Sequence, residues 1–277
     1  MKILFLSIYL ILVTTSIVYS QKISTPLEPA SPPKQFELGI LLGLGGNNQS
    51  GDYIPGKYFD KCNNCNFTSG SGFGSSLGIV AHRDIIAELQ WGASLSIVFS
   101  DIKSEFQEIE IVPIQMLDNK FDYRPIPFKN TADFEFSFLE FTPFMLYSPI
   151  NFFFVKVGFT TALLVNSHIK QSKELLKFKD TLSSGEIVDL YLDSENPFVK
   201  VVDDRDIPQT NSFQMFLKPA LGFNFKFSER FLANPYFEYS IPLSKISNLQ
   251  DTFKIGYWRI ILEFKYAITL RETPIKL

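Results

Sequence analysis

The stretch "SFQMFLKPALGFNFKF", Ser212 to Phe227, decides how the chain folds. Phe213, Met215, Leu217, Pro219, Leu221, Phe223, Phe225 and Phe227 occupy alternate positions. Gln214, Phe216, Lys218, Ala220, Gly222, Asn224 and Lys226 occupy the positions between them. Successive side chains of a strand point to opposite faces. One face of this strand is therefore large and apolar, and the other carries amide, ammonium and small groups.

The same two-faced pattern occurs eight times. It runs through "FELGILLGLGG" from Phe36, "FGSSLGIVAHR" from Phe73, "AELQWGASLSIVFS" from Ala87 and "FEFSFLEFTPFMLY" from Phe134. It continues through "FVKVGFTTALLVNSH" from Phe154, the opening stretch, "FLANPYFEYSIPL" from Phe231 and "FKIGYWRIILEFKYAI" from Phe253. In the fourth segment the apolar parity changes near Phe138–Leu139, which predicts a bulge. The connections alternate in length. Long polar ones run from Gln49 to Ser71, Phe106 to Thr131 and Leu176 to Thr210. Short turns lie at Arg83–Ile85, Ser148–Asn151 and Ser228–Arg230. Long loops at one end and tight turns at the other are the asymmetry of an outer-membrane barrel.

Volume decides which face points out. An eight-stranded barrel has an interior that side chains just fill. Placing the Phe, Leu, Ile and Trp residues of eight strands inside would overfill it. The opposite parity holds the small residues Gly39, Gly43, Gly45, Gly74, Gly78, Gly92, Gly158 and Gly222. The apolar face therefore points outward, and lipid is the solvent that accepts such a band. The expected fold is all-β: an eight-stranded antiparallel transmembrane barrel with up-and-down topology.

The inward parity then collects Glu37, Glu88, Glu140, Glu238 and Glu263 with Lys156, Lys218, Lys226, Arg259 and Lys265. Isolated buried charges are expensive, so these are expected to pair and close the lumen. Pro143, Pro219 and Pro235 fit the pattern poorly, since each lacks a ladder N–H. They are expected at bulges or strand ends.

The N-terminus reads as an export signal. Lys2 precedes an apolar run from Ile3 to Val13, and small residues lead to Ser20 before Gln21-Lys22. The expected organisation is a signal peptide over 1–20, a Pro-rich periplasmic tether over 21–34, a barrel over 35–270 and a tail over 271–277. Both mature termini are then periplasmic and the long loops extracellular. Formal net charge is −3, which gives no nucleic-acid footprint. Two His and two Cys leave little material for a metal or nucleophile site, and no cofactor is expected.

"FELGILLGLGG" and the mid-chain "LEFTPFMLY", with the leader ending before "QK", resemble the outer-membrane β-barrel domain family of Bacteroidetes-like bacteria. That family is similar in architecture to the OmpA transmembrane barrel and includes PorT-like proteins. The resemblance covers roughly Phe36 to Ile268. It implies insertion by the barrel-assembly machinery and no catalytic residues. PorT-like members imply a secretion or transport assembly and an envelope protein partner. The chain departs from the family in one respect, because "TLRETPIKL" follows the last strand where such barrels often end on an aromatic residue.

Three further features carry chemistry. Cys62 and Cys65 form a C-x-x-C in the first long loop. In an oxidising compartment this reads as a disulfide that pins the loop, or as a free or redox pair. Zinc would need four ligands, and only these two are near. His82 and His168 fall at opposite rims, with Ser100 and Asp101 near the rim of His168. A solvated rim histidine is the expectation there, so the protein reads as a structural or surface-binding one and not an enzyme. The acidic segments beginning at Ser104 and Ser184 read as strand extensions above the membrane or as mobile loops.

Overall fold

The computed structural model describes residues 35–54, 67–86, 88–115, 121–150, 152–192, 194–228, 230–248 and 252–269. The expected signal peptide (1–20), tether (21–34), Cys62, Cys65 and tail (271–277) lie outside the described residues. The strands in chain order are β1 (Gln35–Ser50), β2 (Gly70–Ile86), β3 (Leu89–Gln115), β4 (Phe121–Ile150), β5 (Phe153–Leu175) and β6 (Lys179–Thr181). They continue as β7 (Ile187–Asp189), β8 (Val199–Asp206), β9 (Phe213–Phe223), β10 (Phe225–Lys226), β11 (Phe231–Pro242) and β12 (Lys254–Thr269).

Eight of these close into an antiparallel ring: β1, β2, β3, β4, β5, β9, β11 and β12. Each pairs with the next. β12 returns to β1, from Gln35 opposite Thr269 to Ser50 opposite Lys254. Closure removes both sheet edges, which is what hydrocarbon demands of a β-structure. The fold class is the outer-membrane type of β-barrel. Among the described residues no helix is long and apolar enough to cross a membrane.

The apolar face points out. Leu38, Ile40, Leu42, Leu77, Ile79, Leu95, Ile97, Phe159 and Leu221 are all exposed on the barrel wall. On β3 this band runs from Trp91 to Phe99, and on β4 from Leu139 to Tyr147, nine residues each. A tilted strand needs roughly 9–11 residues to cross the hydrocarbon. Beyond Phe99 the outward positions become Asp101, Lys103 and Glu105. The lipid band therefore ends there on β3.

The expected bulge in β4 is corrected. Even-numbered residues of β4 face inward without interruption from Phe134 to Leu146, and the β3–β4 register is continuous. What changes at Phe138–Leu139 is which face is apolar. Above the lipid, Phe134, Phe136 and Phe138 turn inward while Glu135 and Ser137 meet water. Below it, Leu139, Phe141 and Met145 face outward while Glu140 and Thr142 face the lumen. The register shift belongs to β5. Ser137 pairs with Asn166 and Phe138 with Leu164, so Val165 is the extra residue.

The three prolines find a common explanation. Pro143 pairs with Ala93 of β3, but the β4–β5 ladder passes from Phe141 to Phe144 and omits Thr142 and Pro143. Pro219 pairs with Val157 of β5, while the β9–β11 ladder omits Lys218 and Pro219. Pro235 pairs with Leu262 of β12 and lies one residue outside the β9–β11 ladder. Each proline keeps one partner strand and faces a ladder gap on the other side, where its missing N–H is not needed. Across the first gap the Thr142 and Thr160 hydroxyls hydrogen-bond at 2.7 Å.

Two luminal glycines are fixed by close approach. A Cβ on Gly92 would lie 2.5 Å from the Phe144 ring, and one on Gly74 would lie 2.6 Å from Nη2 of Arg259.

β3, β4, β5 and β8 continue past the band as a four-stranded sheet, so the segment from Ser104 is strand and not a free loop. The band makes a direct prediction. Ile79→Arg places a charge in mid-band and is expected to cost about 2–4 kcal/mol in denaturant unfolding from phospholipid vesicles. Ile109→Arg, above the band, is expected to change stability by about 0.5 kcal/mol or less.

Candidate functional site

The lumen is built in layers. Parity supplies its composition, and barrel register decides which side chains meet. At the turn end, Leu146 and Phe154 pack with Phe144, Ala220 and Tyr236. Against them lies the first ionic group. Nζ of Lys156 donates to Oε1 of Glu263 at 3.1 Å and to the Tyr236 hydroxyl at 2.9 Å. The Tyr236 hydroxyl donates to the same carboxylate oxygen at 2.7 Å. His82 Nε2 lies 3.2 Å from the other oxygen, Oε2, and its ring meets Phe144 edge-on at 4.9 Å. Lys265 pairs with Glu37 at 2.6 Å.

The second group lies at mid-depth. Lys218 bridges two carboxylates, Glu140 at 2.5 Å and Glu238 at 3.3 Å. The Tyr257 hydroxyl donates to Oε1 of Glu140. A cavity of about 10 Å³ lies beside Glu140, Lys218, Glu238 and Arg259. That is room for about one water.

Arg259 departs from expectation in its partners. It donates to neutral oxygens: the carbonyls of Gly46 at 3.1 Å, Trp258 at 3.0 Å and Phe99 at 3.3 Å, with Oδ1 of Asn47 at 2.7 Å and Oγ of Ser100 at 3.2 Å. Its guanidinium also lies 4.6 Å from the Tyr257 ring centre. The β1–β12 ladder omits Gly45 and Gly46 opposite Trp258 and Arg259. The guanidinium therefore fills a gap in the seam that closes the barrel.

Of the ten charges read as luminal, Glu37, Glu140, Lys156, Lys218, Glu238, Arg259, Glu263 and Lys265 are buried. They comprise four acids and four bases. Glu88 and Lys226 are corrections, because both are exposed. Glu88 sits in the turn before β3, where parity no longer fixes direction. Lys226 follows Asn224, which interrupts the opening stretch between β9 and β10 at the turn-side rim. Sequence reasoning missed Asn47, Tyr236 and Tyr257. All three share parity with the luminal charges of their own strands, and that was the available signal.

Above the ionic layers an aromatic plug fills the barrel. Tyr53, Phe67, Phe134, Phe136, Phe138, Phe216 and Phe253 form one buried cluster with Tyr257. Phe134 and Phe136 stack at 6.2 Å, and Tyr53 meets Phe134 edge-on at 5.1 Å. The lumen thus passes from paired charge to dry aromatic core.

The histidines are separated by the wall. His82 is buried in the lumen, whereas a solvated rim position was expected. His168 faces outward, with Nε2 2.7 Å from Asp204 and Nδ1 3.4 Å from Asp206. Partial burial works against its charge, but hydrogen bonds to Asp204 and Asp206 and the nearby Glu135 outweigh this and raise its pKa. Ser100 is buried in the lumen and cannot meet His168 across the sheet. No group of three or more His, Cys, Asp or Glu among the described residues is arranged to hold a metal ion.

No family model matches the chain, and no curated protein matches it. The solved structures that are similar to it include the following three. Ail, the attachment invasion locus protein of Yersinia pestis, in complex with sucrose octasulfate, is 15% identical, with 84% of this chain and 99% of that chain covered and a TM-score of 0.32. The outer membrane protease OmpT of Escherichia coli is 9% identical, with 88% and 100% covered and a TM-score of 0.27. The translocator domain of the autotransporter NalP of Neisseria meningitidis is 10% identical, with 87% and 90% covered and a TM-score of 0.28. Likeness at this level carries no argument about function.

The mid-depth triad generates a prediction. Lys218→Met leaves Glu140 and Glu238 facing each other without their shared cation. Unfolding measurements are expected to show a loss of about 3–5 kcal/mol, as for breaking a buried pair. Lys226→Met, at the exposed rim, is expected to change stability by about 0.5 kcal/mol or less.

Proposed function

We propose that the protein is an integral outer-membrane barrel with a closed lumen and a surface-binding role, and not a conduit or an enzyme. In this reading the long loops are extracellular, and both barrel ends at Gln35 and Thr269 face the periplasm. Insertion then follows the route of other outer-membrane barrels, through the barrel-assembly machinery.

The observation that carries the reading is the sheet standing beyond the lipid band. Its inner face is packed: Ile126, Phe128 and Leu175 form a buried cluster against Val112, Ile114, Leu190 and Leu192. Its outer face is bare among the described residues. Ile109 and Ile111 are each 71% exposed, and Tyr123 is 66% exposed. Pro125 pairs with Ile111 and Pro127 with Ile109 on the same face. An apolar patch held clear of lipid and bordered by Lys129, Glu105 and Lys103 is a pattern of partner recognition. The paired charges and the aromatic plug meanwhile support a lumen without a solute path.

The same face supports a second reading, membership of a secretion or transport assembly of the PorT-like kind. Purification from native membranes in mild detergent separates the two. A protein that purifies alone supports surface binding, and a stoichiometric envelope complex supports the assembly. In planar bilayers the expected result is no steady conductance. A stable open channel of nanosiemens size would overturn the closed-lumen reading.

A further inference from the structure

At the turn-side end of the barrel wall, an open groove of about 500 Å³ lies over the seam where β12 meets β1 and β11. Its walls are Leu38, Ile40, Phe227, Phe231, Phe264 and Tyr266, all exposed on the lipid face. Strand pairing sets most of its shape. Leu38 lies opposite Tyr266 and Ile40 opposite Phe264 across one ladder, and Phe231 lies opposite Tyr266 across the other. The Phe231 and Tyr266 rings meet edge-on at 5.3 Å.

Phe227 closes the groove from a built turn. Its N–H donates to the Phe231 carbonyl at 3.0 Å, and the Ser228 hydroxyl accepts from the N–H groups of Arg230 and Phe231 at 3.3 and 3.1 Å. The turn also carries a cation to the aromatic end of the groove. Nη1 of Arg230 donates to the Tyr266 hydroxyl at 3.3 Å, and the Arg230 carbonyl accepts from the N–H of Ala267 at 2.8 Å. Arg230 remains exposed. Lys226, also exposed, lies on the same hairpin.

We propose that this groove is a phospholipid site: one acyl chain lies along Leu38, Ile40 and Phe264, and an anionic headgroup meets Arg230. Charge complementarity selects the occupant. The groove itself is apolar and faces hydrocarbon, while its rim presents a guanidinium where a lipid phosphate and an anionic headgroup would sit. The volume falls within the range of about 300–1,000 Å³ common for small-ligand sites. Bound lipid would cover the β1–β12 seam, where the chain closes on itself. The proposal rests on the reading that this wall faces lipid.

The test is native mass spectrometry of the full chain. The protein is delipidated in detergent and offered equimolar phosphatidylglycerol and phosphatidylethanolamine. Vesicle flotation and heat-modifiable gel mobility of each variant establish membrane insertion and folding separately. The expected result is retention of one phosphatidylglycerol in preference to phosphatidylethanolamine. Phe227→Ala/Phe231→Ala is expected to lose the adduct, and Arg230→Gln to keep lipid but lose the preference. Phe152→Ala/Phe223→Ala, outside the groove, is expected to retain both. Equal retention of the two lipids by the unaltered protein, or an adduct indifferent to the Phe227 and Phe231 changes, would overturn the site. So would a dimer in place of a lipid adduct. A protein that fails to float would overturn the lipid-facing reading together with the site.

Discussion

Hydrocarbon leaves no backbone polar group a second partner, and the closed ladder is the response to that constraint. Gln35 must find Thr269 for β1 to have a neighbour on each side. Once the ring closes, every strand has a lipid face and a luminal face, and the two faces take opposite chemistry. The prolines show how firmly the ladder constrains sequence. Pro143 and Pro219 are tolerated where one side of the strand is already unpaired, and the Thr142–Thr160 hydroxyl bond crosses one of those gaps. At the β1–β12 seam, the Arg259 guanidinium plays the corresponding part for the Gly46 carbonyl.

The inversion of the apolar face along β4 links the lipid band to the sheet that stands beyond it. Phe134, Phe136 and Phe138 would be misplaced in a barrel whose greasy side always faced out. They make sense because β4 leaves the lipid near Leu139. Above that level water lies outside, so the apolar residues turn inward and build an ordinary core. This core stoppers the lumen above the charge layers and gives the protruding sheet a firm base. A closed barrel and a projecting sheet with a bare apolar face are thus two outcomes of one change of solvent along a strand.

Much of this was legible in the sequence. Period-two alternation, glycine parity and loop lengths gave the eight strands and the outward band. The inward parity also isolated Lys218 and Glu140, which meet across the intervening β5. The particular partners were not legible. Parity says that Arg259 points inward, but the shear of the closed barrel decides that it meets Asn47 and Ser100 instead of a carboxylate. Glu88 misled because alternation was extended one residue into a turn. The apparent bulge misled because a change of solvent and a change of register leave the same trace in one strand. Only the pairing with β5 assigns the shift to Val165.

Collision accessibility of spin labels along β4 tests the account most directly. Labels at Leu139, Phe141, Met145 and Tyr147 in vesicle-reconstituted protein should collide with dissolved oxygen and be shielded from a polar relaxation agent. Labels at Asp133 and Glu135, the outward positions above the band, should show the reverse, with the crossover near Ser137. Free access of the polar agent to Phe141 and Met145 would contradict the account, because the outward band would then face water and the barrel would not span a membrane.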